Sequence, residues 1–326
     1  MTAVALTVLL VATLAFTALL GPRALRRAAP ALVHAPRTAA ALLTGGVLAW
    51  VLTALALGPL MAWTLSGPAL LPEDAAEVCR RCLAAANPFA AAHVDAAVPA
   101  IVFLALPALG TVLLASAAVL ETRRRRRATA RTGRRLRERA EPRTVLGHRV
   151  LVIDDPRPFA LTLPRRHGGV MVSTGALDAL TPKELSAVLA HEHAHLRQRH
   201  HLLIAVMAAL SRRLRWVPLI AAAAAAINHY LEIAADDAAR RHVGTPALAG
   251  ALLTLGEHAH PDRTGVHLEG ALHMLGPDRI RHLVQPRTGV SGAFPALAAA
   301  VCLAALTLLA ATVHLPYLTA AVTGCV

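Results

Sequence analysis

The residues with the strongest chemical implication are His191 and His195, which lie four positions apart with Glu192 beside the first. Side chains four apart on an α-helix project from one face, one turn apart, so both imidazoles can bind a single metal ion. Histidine nitrogens at this spacing suit Zn²⁺, and Glu192 could accept a proton from a water molecule at the metal. The pattern H-E-x-x-H therefore predicts a zinc site for metal-assisted hydrolysis.

The helix that would hold this pattern has a clear start in the sequence. Thr181, Pro182 and Glu184 supply an N-cap, a proline at the first helical position and the glutamate of a capping box. Apolar residues then recur with a helical period as far as Leu196. An accidental match is the alternative, because the chain has 17 histidines and several follow position 190 closely. The well-formed helix start favours the zinc site.

A catalytic zinc site needs a third protein ligand, for which Glu232 is the best candidate. Glu232 and Asp236 are again four apart, on one face of an alanine-rich helix. We expect Glu232 to bind the metal and Asp236 to accept a hydrogen bond from the outer nitrogen of a histidine ligand. The alternative is an ordinary solvated acidic patch, because E-x-x-x-D is common on helices.

Three segments of the chain resemble membrane-embedded gluzincins: VSTGAL at 172–177, LTPKEL at 180–185 and VLAHEHAH at 188–195. The segments are most similar to the BlaR/MecR-type metallopeptidases (peptidase family 56), in which an E-x-x-x-D helix follows the H-E-x-x-H helix. HtpX-like and CAAX-prenyl-protease metallopeptidases are related families. The resemblance covers residues 149–242 well, and it implies an α+β zincin-like metalloprotease domain with one catalytic Zn²⁺.

The resemblance also implies a substrate, a cytosolic winged-helix repressor of the BlaI type. Only residues 316–326 follow the last apolar run, so we expect no penicillin-binding sensor domain, in contrast to that family. Two alternatives stay open. One is an HtpX-like protease that cleaves damaged membrane proteins; the other is a non-catalytic scaffold stabilised by zinc, which would have no use for Glu192 as a general base.

Composition independently indicates a mainly α membrane protein. Hydrophobic residues make up 56% of the chain and mean hydropathy is +0.53, yet 16% of residues are charged. Such a combination requires that charge be separated from long apolar runs. Four uncharged runs are long enough to span a bilayer, at 3–20, 39–65, 96–120 and 293–315.

Charge in the loops predicts how these four spans are oriented in the cell membrane. The 21–38 loop has arginines and no acid, the 66–95 loop is acidic overall, and arginines dominate the 121–148 linker. By the positive-inside rule, the 149–292 domain is cytoplasmic and both termini are external. The net charge of +14 lies largely in the linker, which we interpret as lipid-facing. Without interleaved aromatic residues, direct nucleic-acid binding is not expected.

Three short β-rich runs precede the zinc helix, at 149–154, 159–163 and 169–173. Turn residues between them predict a small antiparallel sheet. An edge strand could hold an extended peptide by main-chain hydrogen bonds. The expected edge consists of Gly169, Val170, Met171, Val172 and Ser173, and the alternative is that this run is an interior strand.

The remaining predictions concern the surroundings of the site. The apolar pieces 202–210 and 216–227 are too short to span and should be buried or lie on the membrane surface. Residues 278–283 should form a short amphipathic helix. A disulfide involving Cys79 or Cys82 and two unrelated thiols are equally compatible with the spacing. Candidate oxyanion or substrate contacts flank the Glu232 helix: His229, Arg240, Arg241 and His242.

Overall fold

The fold is that of a computed structural model, which describes residues 3–66, 72–87, 94–95, 97–257 and 293–323. Helices dominate the described chain. In order they are α1 (Ala3–Leu32), α2 (Pro36–Thr64), α3 (Glu73–Ala86), α4 (Ala100–Arg137), α5 (Thr174–Ala179), α6 (Pro182–Arg197), α7 (His200–Leu214), α8 (Pro218–Val243), α9 (Thr245–Glu257) and α10 (Ala293–Thr323). The predicted amphipathic helix at 278–283 lies outside the described residues.

Five of the described helices are long and apolar enough to cross a membrane, by length and composition. Four of them, α1, α2, α4 and α10, correspond to the four predicted spans. The fifth is α8, which also contains Glu232 and Asp236. These apolar helices indicate a multi-pass membrane protein, but the number of spans is not fixed at four.

Helix α4 continues well beyond its apolar half. The arginine-rich segment predicted as a linker is helical as far as Arg137, and a strand then begins at Ala140. Just past the apolar half, the buried carboxylate of Glu121 forms ion pairs with Arg125, at 3.0 Å, and with Arg212 of α7, at 3.1 Å. A buried acid with two guanidinium partners keeps its charge compensated. This cluster ties α4 to α7.

The sheet is mixed rather than antiparallel. Its strands are β3 (Ala140–Val145), β4 (His148–Ile153), β5 (Ala160–Thr162) and β6 (Val170–Ser173), in the order β3-β4-β6-β5. The prediction of a purely antiparallel sheet was wrong, because β6 lies between β4 and β5 and pairs with β4 in parallel. Strand alternation reveals which face is buried but not the order of strands in space.

A two-residue pairing lies apart from this sheet. Strands β1 (Leu65–Ser66) and β2 (Val94–Asp95) pair in parallel at the far end of α2. Nearby on α3, Cys79 is a free thiol, whereas Cys82 is disulfide-bonded to a cysteine other than Cys79. The prediction of a disulfide involving Cys79 or Cys82 is therefore confirmed for Cys82.

Two apolar clusters position the helices around the sheet. In the first, β4 and β6 pack against α6 and α9 through residues such as Val172, Leu189 and Leu255. In the second, α8 packs against α2 and α7, with Ile220, Ile227 and other apolar residues completely buried. The predicted 202–227 region therefore consists of α7 and the first part of α8, and it packs directly on an apolar membrane helix.

Helix α1 also approaches α8 closely. A β-carbon at Gly21 would lie 2.6 Å from Cδ1 of Leu219, so a larger residue there would require the Leu219 side chain to move. Helix α8 thus lies against two candidate membrane spans and, just past its midpoint, carries the predicted ligand Glu232.

Candidate active site

Helix α6 presents the two histidines of the H-E-x-x-H pattern on one face. The predicted capping box is present, because the Thr181 hydroxyl accepts from the Glu184 amide and the Glu184 carboxylate accepts from the Thr181 amide. Ten residues after the N-cap, His191 is buried, and one turn later His195 is half-buried. Their Nε2 atoms lie 3.1 Å apart and so converge on one point.

Glu232 of α8 completes a three-residue cluster that could hold a metal ion. Its Oε2 lies 3.6 Å from His191 Nε2, and its Oε1 lies 3.5 Å from His195 Nε2. One ligand atom from each of the three residues lies within 4.8 Å of the others. Two imidazole nitrogens and a carboxylate oxygen are the donor set of many catalytic zinc sites, so the residues present fit Zn²⁺.

Asp236 supports His191 from the side away from the cluster. His191 Nδ1 lies 3.0 Å from Asp236 Oδ1, and both side chains are buried. Burial alone would lower the pKa of His191, but hydrogen bonds and charge from Asp236 and Glu232 raise the pKa to about 10 without metal. A metal ion that binds here must displace that proton, after which Nδ1–H still donates to Asp236.

His200 supports His195 in a comparable position, and sequence reasoning did not identify it. The Nδ1 atoms of the two rings are 3.0 Å apart, and His200 Nε2 lies 2.9 Å from Gln198 Oε1. Burial, with the nearby His195, lowers the pKa of His200 to about 3, so the ring is neutral. Five positions beyond His195, a continuous helix would carry His200 to another face. The helix is instead interrupted at Arg199, which adopts a left-handed conformation with φ 54°.

Glu192 is held in place by Thr162, a second residue that sequence reasoning missed. The Thr162 hydroxyl lies 2.6 Å from Glu192 Oε2 and 3.0 Å from the Glu192 main-chain oxygen. Glu192 is buried. A hydrogen bond to a carboxylate fixes its orientation, which a general base needs. Thr162 belongs to β5, and no pattern in the sequence predicts that β5 lies beside α6.

The predicted edge strand does not lie at an edge. Residues Val170, Met171, Val172 and Ser173 form β6, which pairs with β4 on one side and β5 on the other, and all four are buried. Gly169 precedes the strand in a left-handed conformation with φ 73°. That prediction was wrong because a fully apolar run marks a strand covered on both faces. The edges of the sheet are β3 and β5.

The four candidate substrate contacts occupy different positions around α8. His229 lies three residues before Glu232 and seven before Asp236, on the same helical face. Arg240 forms an ion pair with Asp237 at 3.1 Å. Arg241 and His242 are exposed. Burial lowers the pKa of His148, with smaller contributions from His193 and His242. Of the four, His229 lies nearest to Glu232 in sequence.

Comparison with known proteins agrees with this arrangement. Residues 121–256 match the model of Peptidase family M48. The chain is 43% identical over 65 residues to the "Protease HtpX homolog" of Acidiphilium cryptum (strain JF-5), covering 19% of this chain and 23% of the relative. It is 39% identical over 62 residues to the protein of the same name from Caldanaerobacter subterraneus subsp. tengcongensis. This match covers 18% of this chain and 21% of the relative.

These matches cover part of each protein. The chain spans only about a fifth of the curated relatives it matches. No solved structure matches the chain. The family match and the relatives support a membrane-bound metallopeptidase, whereas they do not support the more specific assignment to the BlaR/MecR type.

Proposed function

We propose that this chain is a membrane-embedded zinc metalloendopeptidase of the HtpX-like kind. The observation that supports the proposal best is the cluster of His191, His195 and Glu232 beside an oriented Glu192, within a segment that matches Peptidase family M48. A structural zinc site closes its fourth position with a protein ligand and needs no general base. The buried, hydrogen-bonded carboxylate of Glu192 favours catalysis over a purely structural role.

Each residue of the site has a defined task in this proposal. His191, His195 and Glu232 would hold Zn²⁺, which when bound polarises the scissile carbonyl and lowers the pKa of water. Glu192 accepts the proton of the attacking water and transfers it to the leaving amine. Asp236 keeps His191 Nε2 free of a proton by accepting from Nδ1. His229, on the face of Glu232, could donate a hydrogen bond to the substrate oxygen as its negative charge develops.

The substrate is more suitably held by β5 than by β6. Strand β5 is an edge, so the side of Ala160–Thr162 away from β6 can pair with an extended peptide. Its last residue, Thr162, also contacts Glu192. A peptide paired with β5 would therefore lie directly beside the general base.

A membrane protein or unfolded segment close to the bilayer is the substrate class that the structure favours. Helix α8 carries Glu232 and also packs on the apolar helices α1 and α2, so the site adjoins the predicted spans. The two relatives compared above are both named protease HtpX homologues. The cytosolic repressor that the BlaR/MecR resemblance implied has no corresponding support in the structure.

The proposed substrate class can be tested with the purified full chain in detergent, loaded with zinc. We expect cleavage of an unfolded membrane protein and of casein, with loss of cleavage after chelation and recovery when zinc is restored. A folded winged-helix repressor should stay intact. Cleavage of the repressor alone would contradict the HtpX-like proposal, and zinc binding without any cleavage would favour the non-catalytic scaffold.

We also propose that four helices span the membrane and that the site is cytoplasmic. Helix α8 contains three acids and two arginines from Glu232 to Arg241, and it packs on α6 as well as on α1 and α2. Burying these charges in lipid would be costly. Reporter fusions at residue 140 and after residue 257 should therefore both be cytoplasmic, and fusions near 85 and after 320 external. Opposite signals at 140 and 257 would make α8 a fifth span.

A further inference from the structure

A continuous set of polar contacts joins the predicted ligand His195 to the start of helix α2. His195 Nδ1 contacts His200 Nδ1 at 3.0 Å, and His200 Nε2 contacts Gln198 Oε1 at 2.9 Å. The same Gln198 oxygen accepts a hydrogen bond from Arg37 Nε at 2.8 Å. Arg37 is the second residue of α2, 161 positions earlier in the chain. Four side chains thus connect the metal cluster with an apolar candidate span.

The direction of each hydrogen bond follows from the chemistry of the groups. If His195 binds zinc through Nε2, as the proposed function requires, its Nδ1 holds the proton and must donate. His200 Nδ1 must then accept, which leaves the proton of this ring on Nε2. That Nε2–H needs an acceptor, and Gln198 Oε1 provides it. Arg37 can only donate, so it fixes the oxygen of the Gln198 amide, not the nitrogen, at this position.

The two histidine ligands therefore have different supports. His191 donates to the carboxylate of Asp236, a strong and buried acceptor within the same group of helices. His195 donates to a neutral imidazole, whose capacity to accept depends on Gln198 and Arg37. The hydrogen bond that supports His195 is weaker, because its acceptor is a neutral ring and not a carboxylate. The support of His195 also extends to Arg37 of the candidate span α2, whereas the Asp236 support comes from α8, the helix that carries Glu232.

The backbone between α6 and α7 is strained in a way that maintains this contact. Arg199 is one of two described non-glycine residues with positive φ, at 54°. A left-handed conformation costs an arginine free energy that an ordinary helical continuation would avoid. The conformation returns the chain so that the buried ring of His200 lies edge-on to His195, with ring centroids 4.7 Å apart. The strained turn thus places His200 against the ligand.

We propose that Arg37, Gln198 and His200 are positioning residues that fix the tautomer and orientation of His195, and so couple zinc affinity to the position of α2 against α6. The inference rests on the proposed zinc function. None of the three residues touches the reacting atoms. A displacement of α2 relative to α6 would separate Arg37 from Gln198, release the amide and weaken the acceptor for His195. Regulation from the membrane would then act on metal binding.

The test is the zinc affinity of the full chain in detergent, measured by competition with a chromophoric chelator. Gln198→Met removes the acceptor of His200 Nε2 while keeping the side chain nearly the same size. It should weaken zinc binding by about tenfold, the lower end of the range for loss of a hydrogen bond that supports a metal ligand. Gln198→Glu retains an acceptor for both donors and should bind zinc at least as tightly as the wild type. Arg37→Met should weaken binding in the same direction by a smaller factor. Arg26→Met replaces an exposed arginine on α1 and serves as the matched control for Arg37→Met. It should leave zinc affinity unchanged.

Thermal unfolding of the metal-free variants separates positioning from damage to the fold. A positioning role predicts weaker zinc affinity in Gln198→Met with unchanged unfolding of the metal-free protein. Equal zinc affinity in wild type and Gln198→Met would overturn the inference while leaving the proposed function intact. A loss in Gln198→Met with none in Arg37→Met would overturn the coupling to α2. A wild-type chain that binds no zinc would overturn both this inference and the proposed function.

Discussion

Replacement of Glu192 by glutamine is expected to reduce peptide hydrolysis by at least about 10²-fold while zinc stays bound. Glutamine has nearly the same size and can still accept a hydrogen bond from Thr162, which contacts Glu192 Oε2 at 2.6 Å. It cannot, however, accept the proton of the attacking water. The cluster of His191, His195 and Glu232 is unchanged in this variant. Metal analysis and turnover of the purified full chain measure the two effects separately.

Alanine at a ligand position should give the opposite pattern. His191→Ala, His195→Ala and Glu232→Ala each remove one of three donors and should strip most of the bound zinc along with activity. His193→Ala is the matched control, because His193 lies between the ligands in sequence but contacts the Leu189 main-chain oxygen and the ring of His148. Full zinc occupancy in Glu232→Ala would assign the third ligand elsewhere, with Asp236 or His229 as the next candidates.

A fragment of residues 121–292, without α1 and α2, is expected to aggregate in buffer and to have weak activity even with zinc. In the full chain, Ile220, Ile227 and Leu231 of α8 are at most 2% exposed within the cluster shared with α2. Exposing a large apolar side chain costs about 1.5–3 kcal/mol, and a whole domain is stable by only about 5–15 kcal/mol. Size-exclusion chromatography and a casein assay of the fragment and the full chain provide the comparison.

Adding residues 1–66 as a separate chain in detergent is the control for this fragment. Because α1 and α2 supply the missing faces of the α8 cluster, their addition should increase both solubility and activity. A monodisperse and fully active 121–292 fragment would show that the spans act only as an anchor. It would also rule out any dependence of the zinc site on α2.

The parts of the site that sequence could predict are those set by local spacing. The capping box at Thr181 fixes where α6 begins, and the helical period then places His191 and His195 on one face. Glu232 and Asp236 obey the same rule on α8. Such relations need only the geometry of one helix, so they can be derived without knowledge of the tertiary fold.

The parts that could not be predicted depend on contacts between distant segments or on a single unusual torsion angle. Thr162 reaches Glu192 because β5 forms the sheet edge beside α6, and strand order is not encoded in alternation. His200 reaches His195 only through the left-handed Arg199, a conformation that arginine rarely adopts. The packing of α8 on α1 and α2 was hidden because its apolar half is too short to be recognised as a span.

The two tasks of α8 impose a rotational constraint on this helix. Ile220 and Ile227 face the membrane helices, and Glu232 and Asp236 face the histidines, on one uninterrupted helix of 26 residues. Each residue turns an α-helix by about 100°, so one residue inserted between Ile227 and Glu232 would swing the carboxylates away from the histidines. An insertion of seven residues would nearly restore the angle but move the ligands about 10 Å along the axis. The number of residues between Ile227 and Glu232 is therefore fixed by helix geometry.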